Sequence, residues 1–343
     1  PDWPARREDS SWFVKSDGIV TSCPLGGYVR ECVKDLLDEL LSRYNIDGIK
    51  FGGASYGFAP GVCHCDHCAA AYRAEAGSGL PTGPDAMKDR AYLAWRQRKM
   101  EETVAYLIDT VHERADIPVV GNSVWHLGRG MPIDELARRQ DFVQIEVQFR
   151  THFGGDEAPA SWERFTFPTE SCRYVSRLTE RPPWVVASYF LAWPWRRVAV
   201  PWPEQKLYLA QIAANGCSPM VNLSGGPPRI HEDRRGFRAM EELYGFMARH
   251  AELYDGDESA AGVALLYCPA SAQRTREAGD LDGGYLRELH AFEDVLNRGQ
   301  IPYDIVSTEN LDDSAADRYD VLVLPHAPAL QTEAVGVIGA LTK

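Results

Sequence analysis

No run of apolar residues in this chain approaches the roughly 18 to 20 that a helical membrane span needs, which excludes such a span. Positive charge is also short. Lys and Arg number 36 against 49 Asp and Glu, a formal net charge of −13. That balance argues against nucleic acid or an anionic membrane as a partner and suits a neutral substrate. Tandem repeats and low-complexity stretches are missing. Cysteine is sparse, at eight in 343 residues, and three of the eight crowd into positions 63 to 68. A secreted disulfide scaffold is shorter and spreads its cysteines evenly. Clustered thiols instead suggest a metal and a reducing, cytoplasmic compartment. The chain opens on Pro1 and reads as cut at both ends, so a lost signal peptide stays open.

What is present is ordinary globular material: 45% hydrophobic and 25% charged residues. The length fits one large domain plus part of another. Short β-rich runs alternate with longer amphipathic stretches. Residues 18–23 (GIVTSC) read as a strand and residues 28–44 as a helix, with Val29, Val33, Leu36, Leu37, Leu40 and Leu41 at helical spacing. Further strands are expected at 47–52, 118–123, 142–149, 184–191 and 218–223, and helices near 86–115, 133–139, 171–178, 204–215 and 234–254. Residues 3–12 and 53–84 read as loops. Six β-then-α units imply parallel strands with right-handed crossovers. A closed (β/α)8 TIM barrel needs eight, so two units are expected upstream of Pro1. The alternative is an open doubly wound sheet, but no Gly-rich phosphate turn follows the first strand. After Asp255-Gly256-Asp257 the βαβ pattern restarts at 262–267, 284–297, 303–306 and 319–324. That is the opening of a flavodoxin-like α/β domain, truncated by the chain end. The expected division is a barrel over 1–255 and a second domain over 256–343.

The densest chemical feature is Cys63-His64-Cys65-Asp66-His67-Cys68. Zinc takes four soft ligands in a tetrahedron, and C-x-C-x-x-C supplies three from one tight loop. Cys23 ends the strand before and is the leading fourth ligand, with His64, His67 and Cys32 as alternatives. Four thiolates leave no open position, so the zinc is structural and pins a loop. Free thiols or a redox pair are the plain alternative. Cys172, Cys217 and Cys268 read as scattered buried thiols.

CPLGGYVRECVKDLL, YNIDGIKF and CHCDHCAAAYR together resemble the zinc-binding region of family 42 β-galactosidases. They resemble still more closely the hypothetical glycosyl hydrolases that carry a β-galactosidase trimerisation domain. The resemblance implies a structural zinc on Cys23, Cys63, Cys65 and Cys68, because that order of one Cys and then C-x-C-x-x-C matches the family's. It also implies a glycoside or oligosaccharide substrate, a non-catalytic trimerisation-like domain over residues 262–324, and a homo-oligomer, a trimer above all. The family's acid/base Glu at the end of its fourth strand has no counterpart here, where DGIKFGG places Gly52 and Gly53. Its nucleophile Glu at the end of the seventh strand is replaced by SYFLAWPW.

Glycosidic cleavage uses two carboxyls flanking the bond, and barrel chemistry sits at the C-terminal strand ends. Glu146, set between apolar neighbours in its strand, is the leading acid/base. A structural ion pair with an Arg is the alternative. No second carboxylate stands out: Asp156, Glu157, Glu170, Glu232 and Asp233 all read as solvated loop charges. Lys50, Asn122, Trp125, His126, Tyr189, Trp193, Trp195 and Asn222 fall at or just past strand ends, as polar arms and aromatic platforms for a sugar. Some of those aromatics could equally be loop core. The expected function is a glycoside hydrolase. A degenerate barrel that binds carbohydrate without cleaving it is the second reading. A zinc hydrolase of other bonds is the third, and it fails if Cys23 closes the tetrahedron.

Overall fold

The computed structural model describes residues 2–14, 18–51, 61–123, 137–147, 165–179, 181–191, 197–223, 226–254, 258–277 and 284–341. The chain forms two compact units, residues 1–123 with 138–141, and residues 124–137 with 142–343. Among the described residues no helix is long and apolar enough to cross a membrane.

The first unit opens with antiparallel bridges, Arg6 to Trp12, Pro4 to Ser22 and Val14 to Val20. Backbone hydrogen bonds run from Ala5 N–H to Thr21, from Thr21 N–H to Phe13 and from Cys23 N–H to Trp3. Ser10 takes a left-handed φ of 66° within the turn. Two expectations are corrected here. Residues 18–23 are an antiparallel partner of the N-terminal segment, not a parallel barrel strand, and residues 3–12 are part of that pairing, not a plain loop. Burial explains the first point: Ile19 is 57% exposed and Val20 38%, whereas a barrel strand is covered on both faces. β-branched residues favour extended backbone but do not choose its partner.

A π-helical turn, Tyr28–Val33, leads into α1, Lys34–Arg43. β1, Ile49–Phe51, pairs in parallel with β2, Val119–Ser123, with Ile49 beside Val119. Between them lie α2, Asp66–Ala76, and the long α3, Arg90–His112. The segment expected as loop over 53–84 therefore contains a helix. Its alanine-rich run supplies the propensity, and Gly77 closes it at φ 68°, the left-handed C-cap that glycine favours. Asp89 caps α3 by accepting the Tyr92 N–H. Tyr72, Tyr92 and Trp95 pack where α2 meets α3, with the Tyr72 and Trp95 rings edge to face at 5.2 Å.

In the second unit, β3 (Phe142–Glu146), β4 (Trp184–Ser188) and β5 (Ser218–Asn222) are parallel and in sequence order. They alternate with α4 (Phe167–Val175), α5 (Trp202–Ala214) and α6 (Arg235–Arg249). A three-stranded parallel sheet follows, ordered β7-β6-β8, with β6 at Val263–Tyr267, β7 at Tyr303–Ser307 and β8 at Val321–Val323. Its helices are α7 (Pro269–Glu277), α8 (Gly284–Arg298), α9 (Ala315–Arg318) and α10 (Thr332–Leu341). Val143, Ile145, Val185 and Ala187 share one buried core with Leu209 and Ile212 of α5, with Leu265 and Ile305 of the second sheet and with Leu289 of α8. Among the described residues five of the six expected barrel strands are present, β1 to β5, and residues 18–23 are not one.

Candidate functional site

Four cysteines converge in the first unit. Cys23, Cys63, Cys65 and Cys68 are all buried, and their sulfurs lie within 4.8 Å of one another. Cys23 Sγ is 3.4 Å from Cys65 Sγ and 3.5 Å from Cys68 Sγ. Each thiol has a separate support. The pairing with Trp3 fixes the Cys23 backbone, Cys63 N–H donates to the Tyr92 hydroxyl at 3.4 Å, and Cys65 and Cys68 sit at the start of α2. Hydrogen bonds from the other three, Cys23 first, hold the Cys63 thiol far below its ordinary value. Cys65 is pulled down to about 7, first by Cys23. The same contacts push the other two thiols up, Cys23 first through Cys63 and Cys68 first through Cys23, and four buried sulfurs converging in this way can hold a metal ion. The other ligands considered from sequence are not in the converging group: His67 Nε2 meets Asp2 Oδ2 at 2.7 Å, and the four atoms that converge belong to Cys23, Cys63, Cys65 and Cys68, without His64 or Cys32. Among the remaining thiols Cys172, Cys217 and Cys268 are buried, as expected. Cys172 and Cys217 are not scattered, however. They adjoin, and burial first, then Cys217, pushes the Cys172 thiol up.

In the second unit the strands present a second group of residues. Val143, Ile145 and Val147 face the core, as do Val185 and Ala187 on β4. Strand alternation therefore puts Gln144, Glu146, Val186 and Ser188 on the opposite face. Glu146 stands in register with Val186, and Val186 with Met220. Ser188 stands in register with Asn222 one step nearer the C-terminal ends. The structure thus puts Glu146 and Asn222 on one face of the parallel strands. Both are half-buried. Among the described residues of β1 to β5, Glu146 is the one carboxylate. Lys50 lies exposed on β1 in register with Val120. Asn122 lies on β2. Trp125, His126, Asp156, Glu157, Trp193 and Trp195 fall outside the described residues.

Tyr189, one residue past β4, is fully buried. Its ring packs against His231 and Phe237, with centroids 5.2 and 4.8 Å away, and its hydroxyl donates to the Asp233 carbonyl at 2.5 Å. Burial pushes its phenol up. The Asp233 side chain accepts the Ala199 N–H at 2.9 Å and pairs with Arg235 at 2.6 Å. The Arg235 guanidinium holds the Asp233 carboxyl well below the usual carboxylate range. Asp233 is therefore no solvated charge. It ties the loop after β5 to the segment after β4. Glu232 is exposed, as expected of a loop charge. Glu170 corrects the reading outright: it is 1% exposed, within α4. The aromatic pin at Tyr189 and the burial of Glu170 have no signal in residue spacing.

No protein-family model and no curated protein matches the sequence. Solved structures do. An α-L-fucosidase isoenzyme 2 from Paenibacillus thiaminolyticus superposes with a TM-score of 0.69 at 19% identity, over 99% of this chain and 47% of its own. A β-galactosidase from Halorubrum lacusprofundi gives 0.71 at 16%, over 99% and 58%. One from Bacillus circulans sp. alkalophilus gives 0.64 at 17%, over 94% and 54%. This chain spans about half the length of these structures. At such identities the likeness is one of fold, so the class is a TIM-barrel-like, glycosidase-like α/β fold.

Proposed function

We propose that this chain is part of a glycoside hydrolase acting on a carbohydrate, β-galactoside-like in character, with Glu146 as general acid/base. The observation that carries the reading is the position of Glu146. In a fold shared with glycosidases it is the one carboxylate among the described residues of β1 to β5, and it sits at the C-terminal end of β3, where barrel enzymes place their chemistry. Asn222, on the same face, offers an amide for a sugar hydroxyl. The remaining sugar contacts expected from the sequence, Lys50, Asn122, Trp125, His126, Tyr189, Trp193 and Trp195, stay part of this proposal. The second carboxyl comes from a loop or from the substrate itself.

The thiol cluster holds a structural zinc in this reading. Zinc bonded tetrahedrally to sulfur at about 2.3 Å spaces its sulfurs about 3.8 Å apart, and the separations of 3.4 and 3.5 Å, all four within 4.8 Å, suit it. With four sulfurs no position is open to water, so zinc here orders Cys23 and the start of α2 and takes no part in hydrolysis. Residues 1–255 are the barrel part and 256–343 the start of a trimerisation-like domain. The β7-β6-β8 order supports this, being the order of the first three strands of a flavodoxin-like sheet. The assembly is then a homo-oligomer, a trimer in the resembled family, working in the cytoplasm.

A barrel that binds sugars without cleaving them is the second reading, favoured by the lack of a carboxylate on β4 and β5. A panel of aryl glycosides, offered to the full-length protein and to Glu146→Gln, separates the two. Cleavage by the wild type that falls about 100-fold or more in the variant supports the hydrolase. Sugar binding with no cleavage by the wild type establishes the binding barrel and overturns the hydrolase.

A further inference from the structure

Helices α4 and α8 bring three metal-ligand side chains together inside the second unit. Glu170 of α4 is 1% exposed and Glu293 of α8 is fully buried. His290, one turn before Glu293 on α8, retains 16% of its side-chain exposure. His290 Nε2 lies 3.2 Å from Glu170 Oε2, and one ligand atom from each of the three lies within 4.8 Å of the others. The His290-x-x-Glu293 spacing puts both side chains on one helical face.

Burying two carboxyl groups this close carries a desolvation cost, and a cation ligated by both would offset it together with the imidazole already beside Glu170. A second observation points the same way. Tyr303, from β7, donates its hydroxyl to Glu293 Oε1 at 3.2 Å. Metal sites use such outer hydrogen bonds to orient a ligating carboxylate, leaving its other oxygen for the ion. The nearby Arg173 guanidinium lies over the Tyr303 ring at 3.8 Å and donates to Asn215 and Asn297, which holds that ring in place.

We propose that Glu170, His290 and Glu293 bind one divalent transition-metal ion, of the zinc kind, between α4 and α8. Imidazole with two carboxylates is a donor set for such ions. Three protein ligands leave a fourth position for water. The ion clamps the helix that follows β3 to the helix that packs on the β7-β6-β8 sheet, and the part-exposed edge of His290 is its route in.

The test is a cobalt(II) titration of the chelator-stripped full-length protein. Cobalt on thiolates gives intense near-ultraviolet charge-transfer absorption, whereas cobalt on nitrogen and oxygen gives only weak visible bands, so the two sites are counted separately. The expected result is one ion of the second kind per chain, whether or not the thiolate site fills. His290→Gln and Glu293→Gln should lose that ion and keep the thiolate signal. Tyr303→Phe removes only a hydroxyl and should weaken the site about 10- to 100-fold. A wild type with no ion of the second kind overturns the proposal. So do variants that bind it with unchanged affinity.

Discussion

Cys23 and Cys68 are separated by 45 residues, yet their sulfurs lie 3.5 Å apart. Without an ion, such buried thiols behave as small apolar groups, and Cys68→Ser should cost about 1 kcal/mol. With a structural metal the same change removes a ligand and should cost roughly 4 kcal/mol or more. We expect the larger figure, with chelator destabilising the wild type and leaving the variant almost unmoved. Urea unfolding with and without chelator measures both. A small loss together with indifference to chelator would sink the metal assignment.

Glu146 and Asn222 share a face but should fail differently. Glu146→Gln removes a proton carrier and should lower kcat by about 100- to 10,000-fold with little change in KM. Asn222→Ala removes a neutral hydrogen bond worth about 0.5 to 1.5 kcal/mol, so kcat/KM should fall only about 2- to 10-fold. Steady-state kinetics on the best glycoside decides. Equal losses in kcat for both variants would remove the special role given to Glu146.

The strands of the second unit were legible because runs such as WVVAS and VALLY leave little choice: β-branched, apolar and short. The thiol cluster was legible because a metal requires specific residue types close together. Residues 18–23 read correctly as extended, but only tertiary pairing with residues 3–14 shows that they are not a barrel strand. The helix at Asp66–Ala76 was hidden by the cysteines and histidines at its start. Glu170 read as a loop charge because a carboxylate carries no mark of burial. What buries it is α4 packing against β7, a contact more than 130 residues away in sequence. The Tyr189 pin depends in the same way on residues after β5.

Asp233 gives a pH prediction. Its carboxyl is held well below the usual range, first by the hydrogen bond from Arg235. A carboxyl depressed in the folded state, against about 3.9 unfolded, adds stability above that value and loses it as pH falls toward the folded one. Asp233→Asn should therefore be less stable than wild type at pH 7, and the gap should close as pH drops below about 4. Urea midpoints measured from pH 7 to pH 2.5 would show two converging curves. Parallel curves would mean that Asp233 does not carry the effect.

Tyr285, in the first turn of α8, is a buried bridge to the end of β6. Its hydroxyl accepts the Cys268 N–H at 2.5 Å and donates to the Leu266 carbonyl at 3.3 Å. Only 2% of the residue is exposed, and burial pushes its phenol well up. Tyr285→Phe preserves the ring and its packing but withdraws the partner of a backbone amide at the end of β6. A buried donor left unsatisfied costs about 1 to 3 kcal/mol, so the urea midpoint should fall accordingly. The Cys268 amide should also exchange with solvent faster than in the wild type, because its closed state has lost its acceptor. An unchanged midpoint and an equally protected amide would show that another acceptor replaces the hydroxyl.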